Sequence, residues 1–382
     1  MLKDLLDKYE YDMLKCLYCG QCRYVCPTLR YEGWESASPR GKVKLIYGWA
    51  KGELEPTDGM IEKIYHCCGC EHCVVECPSG IDIVDLVRDA RVELVRLRGR
   101  AIEPLRTIDD RIRDNHNFLG RENEERLFWA EFEELNLTQN DAHSENLYFV
   151  GCLPSYWCIE DASSTAKILK SVNYDFKVLG GEEWCCGLIP FWSGETDIAL
   201  RMAEHNIKVM EERAVKNIFT TCPGCYRMLS RDYRETLGLK SNFSVQHTTE
   251  LLNELLKDGK LKFREKLKLR VTYHDPCHIG RNIGFFEEPR ELLSAIPGLE
   301  LVEMEKNRKN ANCCGGMLAP VSEDLALKVG MDRVKEALDV EAEALVTACP
   351  QCYINLRNSA LELDAKIEVY TLSMFLAKAM KL

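Results

Sequence analysis

Residues 185–187 of this chain read Cys-Cys-Gly, residues 222–225 read Cys-Pro-Gly-Cys, and a single cysteine, Cys152, is separated from the first motif by 32 residues. The same five-cysteine set occurs a second time, and equivalent cysteines are 125 to 128 residues apart. This regular offset predicts a duplicated domain of about 125 residues. The two sets are Cys152, Cys185, Cys186, Cys222 and Cys225, and Cys277, Cys313, Cys314, Cys349 and Cys352.

Two further cysteine strings lie near the N-terminus, each of the form CxxCxxCxxxCP. In bacterial ferredoxins this string binds cubane 4Fe–4S clusters, and its fourth cysteine binds the other cluster. The proline that follows ends the local helix, which lets the fourth thiolate reach across. The predicted ligands are Cys16, Cys19, Cys22 and Cys77 for one cluster, and Cys67, Cys70, Cys73 and Cys26 for the other.

Two of the 20 cysteines, Cys68 and Cys158, remain unassigned, and we interpret both as small buried apolar residues. Disulfide bonds would suit a secreted chain, but no signal peptide is recognisable and the first residues are charged and amphipathic. Zinc ribbons need two CxxC motifs about 15–20 residues apart, whereas 222–225 and 349–352 are separated by 123 residues. The sequence therefore predicts iron–sulfur centres, with zinc as an alternative for the duplicated sets.

The composition limits the classes of partner. The 382 residues carry a formal net charge of −11, which gives no electrostatic reason to bind nucleic acid or an anionic membrane surface. No apolar run approaches the roughly 18–20 residues of a membrane span. The motifs GxGxxG, GxxxxGK[ST] and CxxCH are absent, so we expect no flavin, nicotinamide or haem in this chain. The thiol content favours a cytoplasmic location in an anaerobe, at the inner face of the membrane if a partner subunit holds it there.

Periodicity predicts an α+β, multi-domain fold: an all-α dicluster ferredoxin domain followed by two duplicated α/β domains with parallel sheets. Between them we expect a charged helical linker, in which Trp129 and Phe132 dock onto the core. The predicted regions are the ferredoxin-like domain 1–100, the linker 101–145, the first α/β domain 146–260 and the second α/β domain 261–382.

In each duplicated unit, predicted strands run into the cysteine motifs. Ligand loops lie beyond the carboxyl ends of parallel strands, so the five cysteines of a unit should converge at one sheet edge. Gly187, Gly315 and Gly316 should let the backbone turn tightly beside the metal. The predicted strands are 146–151, 176–179, 218–221 and 245–247 in the first unit, and 270–274, 300–304, 344–347 and 369–370 in the second.

The fifth cysteine of each set distinguishes it from an ordinary cubane site, which needs four. Two consecutive cysteines can bridge irons or support an opened cluster. The residues alone leave a second interpretation open, in which each unit holds one cubane and a spare thiol.

This order of motifs resembles the D-subunit family of methanogen heterodisulfide reductases, and the likeness extends over essentially the whole chain. Iron–sulfur subunits of glycolate, lactate and anaerobic glycerol-3-phosphate dehydrogenases are also similar to it. The shorter strings that agree are Cys26-Pro27-Thr28, Gly33-Trp34-Glu35-Ser36, Ser38-Pro39-Arg40-Gly41-Lys42 and His274-Asp275-Pro276-Cys277-His278.

The resemblance implies both cofactors and an activity. In that family each complete five-cysteine set holds a noncubane 4Fe–4S cluster, and two such clusters face a disulfide between them. For this chain the resemblance implies two cubane and two noncubane clusters. It also implies that the ten duplicated cysteines form a catalytic pair, which reduces the coenzyme M–coenzyme B disulfide to two thiols with electrons from the ferredoxin-type clusters.

Two functions remain open at this point. The first is the reductase subunit, supplied with electrons by a membrane b-type cytochrome or a flavoprotein. The second is an electron-relay subunit of a flavin-dependent 2-hydroxy acid or glycerol-3-phosphate dehydrogenase that feeds a quinone pool. Relay relatives often lack ligands in one set, so the two complete sets favour the reductase.

Side chains near the cysteines suggest supporting roles. His274 and His278 flank Cys277 and could supply protons, although positioning or core roles are the favoured interpretation. A substrate that carries sulfonate and phosphate would need cations nearby, unless these residues are simply solvated at the surface. The candidate cations are Arg227, Arg281, Lys306 and Arg308.

Overall fold

The computed structural model describes residues 2–135, 137 and 144–382. Residues 136 and 138–143 of the predicted linker lie outside this description, as does Met1. The predicted fold class is confirmed: short helices surround the N-terminal cysteine strings, and two parallel sheets with helices follow. The exact division into four regions remains a prediction.

The N-terminal part is entirely helical. The longest helix, α7, begins after Asp82, whose carboxylate accepts from the Asp85 N–H at 3.0 Å. Val84, Val87 and Leu94 on its apolar face are buried in the core. The helices are α1 (Lys3–Leu14), α2 (Gln21–Val25), α3 (Leu29–Glu32), α4 (Pro39–Ala50), α5 (Asp58–Tyr65), α6 (His72–Val75) and α7 (Ile83–Arg98).

The described part of the linker is helical and packs onto the rest of the protein through α8 (Leu105–Asn115) and α9 (Phe128–Phe132). Trp129 is fully buried, as predicted. Phe132 is 69% exposed, so the prediction that it docks onto the core is wrong. Trp129 and Ala130 are the buried residues of α9, and Phe132 is its last residue.

The first α/β unit contains a three-stranded parallel sheet in the order β1-β2-β3. A π-helical turn, Met228–Asp232, joins two of its short helices. The strands are β1 (Asn146–Tyr148), β2 (Asn217–Thr220) and β3 (Ser244–His247). The helices are α10 (Cys152–Tyr156), α11 (Ile159–Ser171), α12 (Leu188–Ser193), α13 (Thr196–Glu212), α14 (Pro223–Arg227), α15 (Tyr233–Glu235) and α16 (Thr248–Lys257).

Two strand predictions in this unit need correction. Residues 176–179 form a single bridge between Lys177 and Leu147 rather than a strand. The chain turns immediately afterwards into a 3₁₀ helix, Gly180–Glu182, which ends the pairing. The strand β1 also stops early, because the N–H groups of Val150 and Gly151 donate to the Glu183 carboxylate.

The second unit repeats this topology with a complete edge strand, in the parallel order β5-β4-β6-β7. The predicted bounds of β4 and β6 are confirmed, whereas β5 ends two residues earlier than predicted. The strands are β4 (Arg270–His274), β5 (Glu300–Val302), β6 (Ala344–Thr347) and β7 (Glu368–Thr371). The helices are α17 (Cys277–Ile283), α18 (Glu288–Ser294), α19 (Glu323–Asp339), α20 (Pro350–Glu362) and α21 (Leu372–Met380).

The two units share one apolar core. Helix α11 of the first packs on α21 of the second, and Thr165 Oγ1 lies 2.8 Å from Ser373 Oγ across this contact. Tyr148 at the end of β1 and Tyr273 on β4 are both fully buried in the shared core. This packing holds the carboxyl ends of both sheets close together.

Among the described residues, no helix combines the length and the apolar character that a transmembrane segment requires.

Candidate metal centre

One cavity between the two α/β units is lined by all ten cysteines of the duplicated sets. The sequence predicted that the five cysteines of each unit converge, and the structure brings both sets together. Much of the remaining wall is apolar, with Phe118, Leu153, Leu188, Ile189 and Met317 among its side chains. The cavity therefore excludes much of the water that would otherwise surround the sulfur atoms.

Equivalent elements place equivalent cysteines in the two units. Cys152 and Cys277 are the first residues of α10 and α17. Cys222 and Cys349 precede a proline at the first position of α14 and α20, where proline is tolerated because its missing N–H has no helical partner.

The two CCG motifs end in a left-handed glycine, with φ of 83° at Gly187 and 82° at Gly315. This conformation strongly favours glycine. It turns the Gly187 N–H towards Cys185 Sγ at 3.4 Å and the Gly315 N–H towards Cys313 Sγ at 3.3 Å. Both motifs thus direct backbone donors at a cysteine sulfur.

The N-terminal strings line two separate cavities, and each cavity contains a cysteine from the other string. Cys77 lies with the first three cysteines of the first string, and Cys26 lies with the second string. The exchange of the fourth cysteine that the ferredoxin pattern predicts is therefore compatible with the geometry.

The two unassigned cysteines have different surroundings. Cys158 is buried beside Leu153 and Tyr353, consistent with its interpretation as a small apolar residue. Cys68 is also buried, but the Sγ atoms of Cys68, Cys70 and Cys313 lie within 4.8 Å of one another. Cys68 thus connects the second N-terminal cavity with the central one, which the spacing of the strings did not reveal.

A buried ion pair adjoins the first five-cysteine set and was missed in the sequence. Arg126 Nη1 donates to Glu183 Oε1 at 2.7 Å, and its Nη2 donates to Cys152 Sγ at 3.3 Å. Both charged side chains are 1% exposed. Arg126 stands in a strongly charged segment, and no local pattern distinguishes it from its solvated neighbours.

None of the four candidate cations lines the central cavity, so a role for them near the clusters remains a prediction. Arg227 is buried against the carboxylates of Asp232 and Glu71. An unpaired cation in an apolar cavity would carry a large desolvation cost.

The other three cations are engaged elsewhere. Arg308 pairs with Glu287 at 2.6 Å. Arg281 donates to the backbone oxygens of Cys70 and Ala311, at 2.6 and 2.7 Å. Lys306 lies over the ring of Tyr24, with Nζ 5.3 Å from the ring centroid.

The two histidines beside Cys277 are both buried. Burial lowers the pKa of His274 and of His278 to about 3, so both rings are neutral at pH 7. His278 lines the central cavity, whereas Nδ1 of His274 accepts from Arg333 Nε at 3.0 Å. Neutral rings support the interpretation of these residues as positioning groups.

The sulfur-rich cavities fit iron–sulfur centres. Burial raises the pKa of the Cys73 thiol, and the Cys185 thiol together with burial raises the pKa of Cys152. Thiols of this kind become thiolates when a metal supplies compensating positive charge. Thiolate sets in a dry environment are the sites that iron–sulfur clusters use.

Comparisons with known proteins agree with this chemistry. A family model described as a cysteine-rich domain matches residues 146–230 and 271–357, and a 4Fe–4S dicluster domain matches residues 12–81. The fold and the site thus define an iron–sulfur protein with one dicluster domain and two cysteine-rich domains.

Relatives that match over nearly the whole chain identify the family within this class. The D subunit of the dihydromethanophenazine:CoB–CoM heterodisulfide reductase of Methanosarcina acetivorans is 33% identical, over 96% of this chain and 94% of that protein. The corresponding protein of Methanosarcina mazei is 32% identical over 92% of this chain and 91% of its own length. The chain belongs to the D-subunit family of heterodisulfide reductases, and it is an iron–sulfur oxidoreductase subunit.

More distant proteins share the fold or part of the sequence. EtfAB:quinone oxidoreductase of Syntrophomonas wolfei is 27% identical over 99% of this chain and 59% of that protein. A crystal structure of a hypothetical protein from Helicobacter pylori superimposes with a TM-score of 0.60 at 11% identity, covering 100% of this chain and 77% of that one. That likeness concerns the fold alone.

Proposed function

We propose that this chain is the catalytic subunit of a heterodisulfide reductase that reduces the coenzyme M–coenzyme B disulfide to two thiols. The observation that carries the proposal is the single cavity lined by both complete five-cysteine sets. A disulfide has two sulfur atoms to be reduced, and a cavity with one metal centre on each side can receive both. The names of the Methanosarcina relatives state the same substrate.

In this proposal the two N-terminal cavities hold cubane 4Fe–4S clusters and the central cavity holds two noncubane 4Fe–4S clusters. Such clusters supply electrons and Lewis-acidic iron to a sulfur–sulfur bond. The ligands are Cys16, Cys19, Cys22 and Cys77; Cys67, Cys70, Cys73 and Cys26; Cys152, Cys185, Cys186, Cys222 and Cys225; and Cys277, Cys313, Cys314, Cys349 and Cys352.

The walls of the cavity support a division of the substrate into two regions. No lysine or arginine of the described chain lines the cavity, and Phe118, Leu153 and Met317 provide apolar contacts. Since burying an unpaired anion is costly, the distant phosphate end of the substrate stays outside the cavity, and the disulfide segment enters.

The exposure of the cysteines supports a direction of electron flow. All 20 cysteines lie in the described chain, and Cys19 is the exposed one, so electrons enter at the first ferredoxin-type site. The contact among the sulfurs of Cys68, Cys70 and Cys313 then connects the second site with the second five-cysteine set. The electron donor in this proposal is a membrane b-type cytochrome or a flavoprotein, which holds the chain at the cytoplasmic side of the membrane.

The test is anaerobic turnover of the purified protein. Reduced benzyl viologen is oxidised by added coenzyme M–coenzyme B disulfide, and the released thiols are counted. We expect two thiols for each two electrons, and a loss of rate of more than about 100-fold in Cys314→Ala. Cys158→Ala is the matched control, since it removes a buried thiol that does not line the cavity.

A second function would follow from the opposite result. Protein that contains its full iron, about 16 atoms for four clusters, but does not turn over the disulfide would contradict the reductase. The relay function would then apply, in which the chain passes electrons between a flavin dehydrogenase and a quinone pool. The similarity to EtfAB:quinone oxidoreductase over 99% of the chain is the observation that favours this alternative.

A further inference from the structure

A histidine ring faces the sulfur atoms of the second five-cysteine set. A ring nitrogen of His274 and the Sγ atoms of Cys314 and Cys352 lie within 4.8 Å of one another. His274 is the last residue of β4 and is 1% exposed. Its Nε2 makes no hydrogen bond to nitrogen, oxygen or sulfur among the described residues, which is costly for a buried polar atom unless a bound group supplies an acceptor.

The position of the ring proton follows from the neighbouring arginine. Arg333 Nε donates to His274 Nδ1 at 3.0 Å, and Arg333 is fully buried. A guanidinium group can only donate, so the imidazole nitrogen that faces it must accept. A neutral imidazole then carries its proton on the other nitrogen, which leaves an N–H donor directed away from Arg333.

Further bonds hold Arg333 in place. Its Nη1 donates to the Lys306 backbone oxygen at 2.8 Å and also pairs with Glu336. Arg333 lies in the middle of α19, whose seventeen residues pack against α20, the helix that carries Cys352. The orientation of the imidazole is therefore set by the fold of the second unit.

The first unit has neither a histidine nor an arginine at the positions equivalent to His274 and Arg333. Phe149 stands three residues before Cys152, as His274 stands three residues before Cys277. Asn206 is the eleventh residue of α13, as Arg333 is the eleventh residue of α19. Asn206 donates to the backbone oxygens of Trp184 and Cys185, so it serves the CCG loop rather than an imidazole.

We propose that His274, oriented by Arg333, is a positioning residue that donates an N–H···S hydrogen bond to the second five-cysteine centre, and that this bond makes the two centres electronically different. The inference rests on the proposed function, since it requires iron–sulfur centres at both sets. The acceptor is a sulfur of the centre that Cys314 and Cys352 bind, since His274 lies beside both cysteines.

A hydrogen bond to sulfur stabilises the more negative, reduced state of an iron–sulfur centre and so raises its reduction potential. The second centre therefore has the higher potential of the pair and is reduced first. The second centre is also the one that the sulfur contact of Cys68, Cys70 and Cys313 connects with the N-terminal sites. The hydrogen bond from His274 and the arrival of electrons thus both concern the second five-cysteine centre.

The test is spectroscopic and needs no substrate. In protein labelled with ¹⁵N-histidine, pulsed EPR of the reduced centres should detect an imidazole nitrogen and an exchangeable proton coupled to one of the two five-cysteine centres. His274→Phe recreates the residue of the first unit and should abolish both couplings. The same variant should also change an EPR-monitored redox titration. At a fixed potential, the ratio of oxidised to reduced centre should rise about tenfold, which corresponds to a reduction potential lower by about 59 mV for one electron.

Two further variants make the result specific. Phe149→Leu alters the equivalent position of the first unit without removing a donor, and both couplings and potentials should stay unchanged. His274→Gln keeps an N–H donor and should retain the proton coupling if His274→Phe fails to fold.

The outcomes separate this inference from the proposed function. A complete second centre without an imidazole coupling in the unmodified protein overturns this inference alone. Iron analysis that shows no centre at the second set overturns both. If the unmodified protein shows the imidazole coupling but does not reduce the disulfide, the reductase function is overturned and the hydrogen bond is supported.

Discussion

Asp109 brings a carboxylate into a buried position where only one of its oxygens is bonded. Its Oδ2 accepts from Ser193 Oγ at 2.9 Å, whereas its Oδ1 has no partner among the described residues. Burial raises the pKa of Asp109 from its ordinary value of 3.8 to about 7. The folded protein therefore favours the protonated carboxyl, and the stability that this group contributes is lost as the pH rises from about 4 through about 7.

We predict that Asp109→Asn removes this pH dependence, because an amide resembles the neutral carboxyl. One pKa unit corresponds to about 1.4 kcal/mol, so the variant should exceed the unmodified protein in stability by about 2–4 kcal/mol at pH 8.5. At pH 5.5 the difference should shrink to about half, because this pH lies about midway between the two pKa values. Anaerobic thermal unfolding of the iron-loaded proteins at both pH values measures this. An equal difference at the two pH values would contradict the assigned pKa shift.

The convergence of the cysteines was predictable from the sequence, but their buried neighbours were not. Cysteine spacing is a local pattern that metal geometry imposes on the chain. The contact between Arg126 and Cys152 joins residues 26 positions apart in sequence, and it depends on how the linker folds back. The orientation of His274 by Arg333 likewise depends on one hydrogen bond between residues 59 positions apart, which no sequence spacing encodes.

At the level of the structural elements, the second CCG turn is tightly packed against a neighbouring helix. A Cβ at Gly315 would lie 2.5 Å from the backbone oxygen of Ala326 on α19, and the φ of this residue is +82°. A side chain there would both strain the backbone and push α19 away. The turn that directs Cys313 and Cys314 into the cavity therefore requires glycine.

We predict that Gly315→Ala displaces this turn and lowers the iron content by about four atoms, the content of one cluster, while the other sites stay loaded. Iron analysis and EPR of the purified variant measure this. Gly284→Ala is the matched control, since Gly284 has a similar φ of +89° but a Cβ there meets nothing within 4 Å. Gly284→Ala should lower the free energy of unfolding by about 1–2 kcal/mol, and this variant should keep its iron. Equal iron loss in both variants would show that strain alone, and not the contact with Ala326, is responsible.

Strand predictions succeeded for the central strands and for the edge strands β3 and β7, and were poorest at the opposite edge of each sheet. The central strands β4 and β6 pair on both sides, and their apolar residues are buried whatever the loops do. The segment at Lys177 has one neighbour only, and the glycines after it release the chain into a turn. Edge pairing depends on such local competition, which periodicity does not measure.

At the level of the whole molecule, one arginine fastens the N-terminal helices to the first α/β unit. Arg91 on α7 is fully enclosed and donates to the backbone oxygens of Ile64, Tyr65 and Cys67 in its own region. It also donates to the Trp192 oxygen of the first unit, at 2.9 Å. The loop that begins the second cysteine string is thereby held against the central cavity.

We predict that Arg91→Met lowers the free energy of unfolding by about 3–5 kcal/mol, because several buried carbonyl oxygens lose a charged donor. Anaerobic thermal unfolding measures the loss, and limited proteolysis should cleave the region between the N-terminal helices and the first unit faster. Arg98→Met is the control, since that side chain is 46% exposed and its nearest acceptor, Asp58, is 98% exposed. A loss of less than about 1 kcal/mol for Arg91→Met would contradict a fastening role.

The exchange of the fourth cysteines between the two N-terminal strings has a consequence for biosynthesis. Each of the two cavities takes Cys26 or Cys77 from the opposite string. A nascent chain that has emerged only as far as residue 66 presents four cysteines but completes neither site. With the proposed ligands, the second site is complete once residue 73 has emerged and the first once residue 77 has, so neither can receive its cluster before the second string is made. A chain terminated between the strings would lose both.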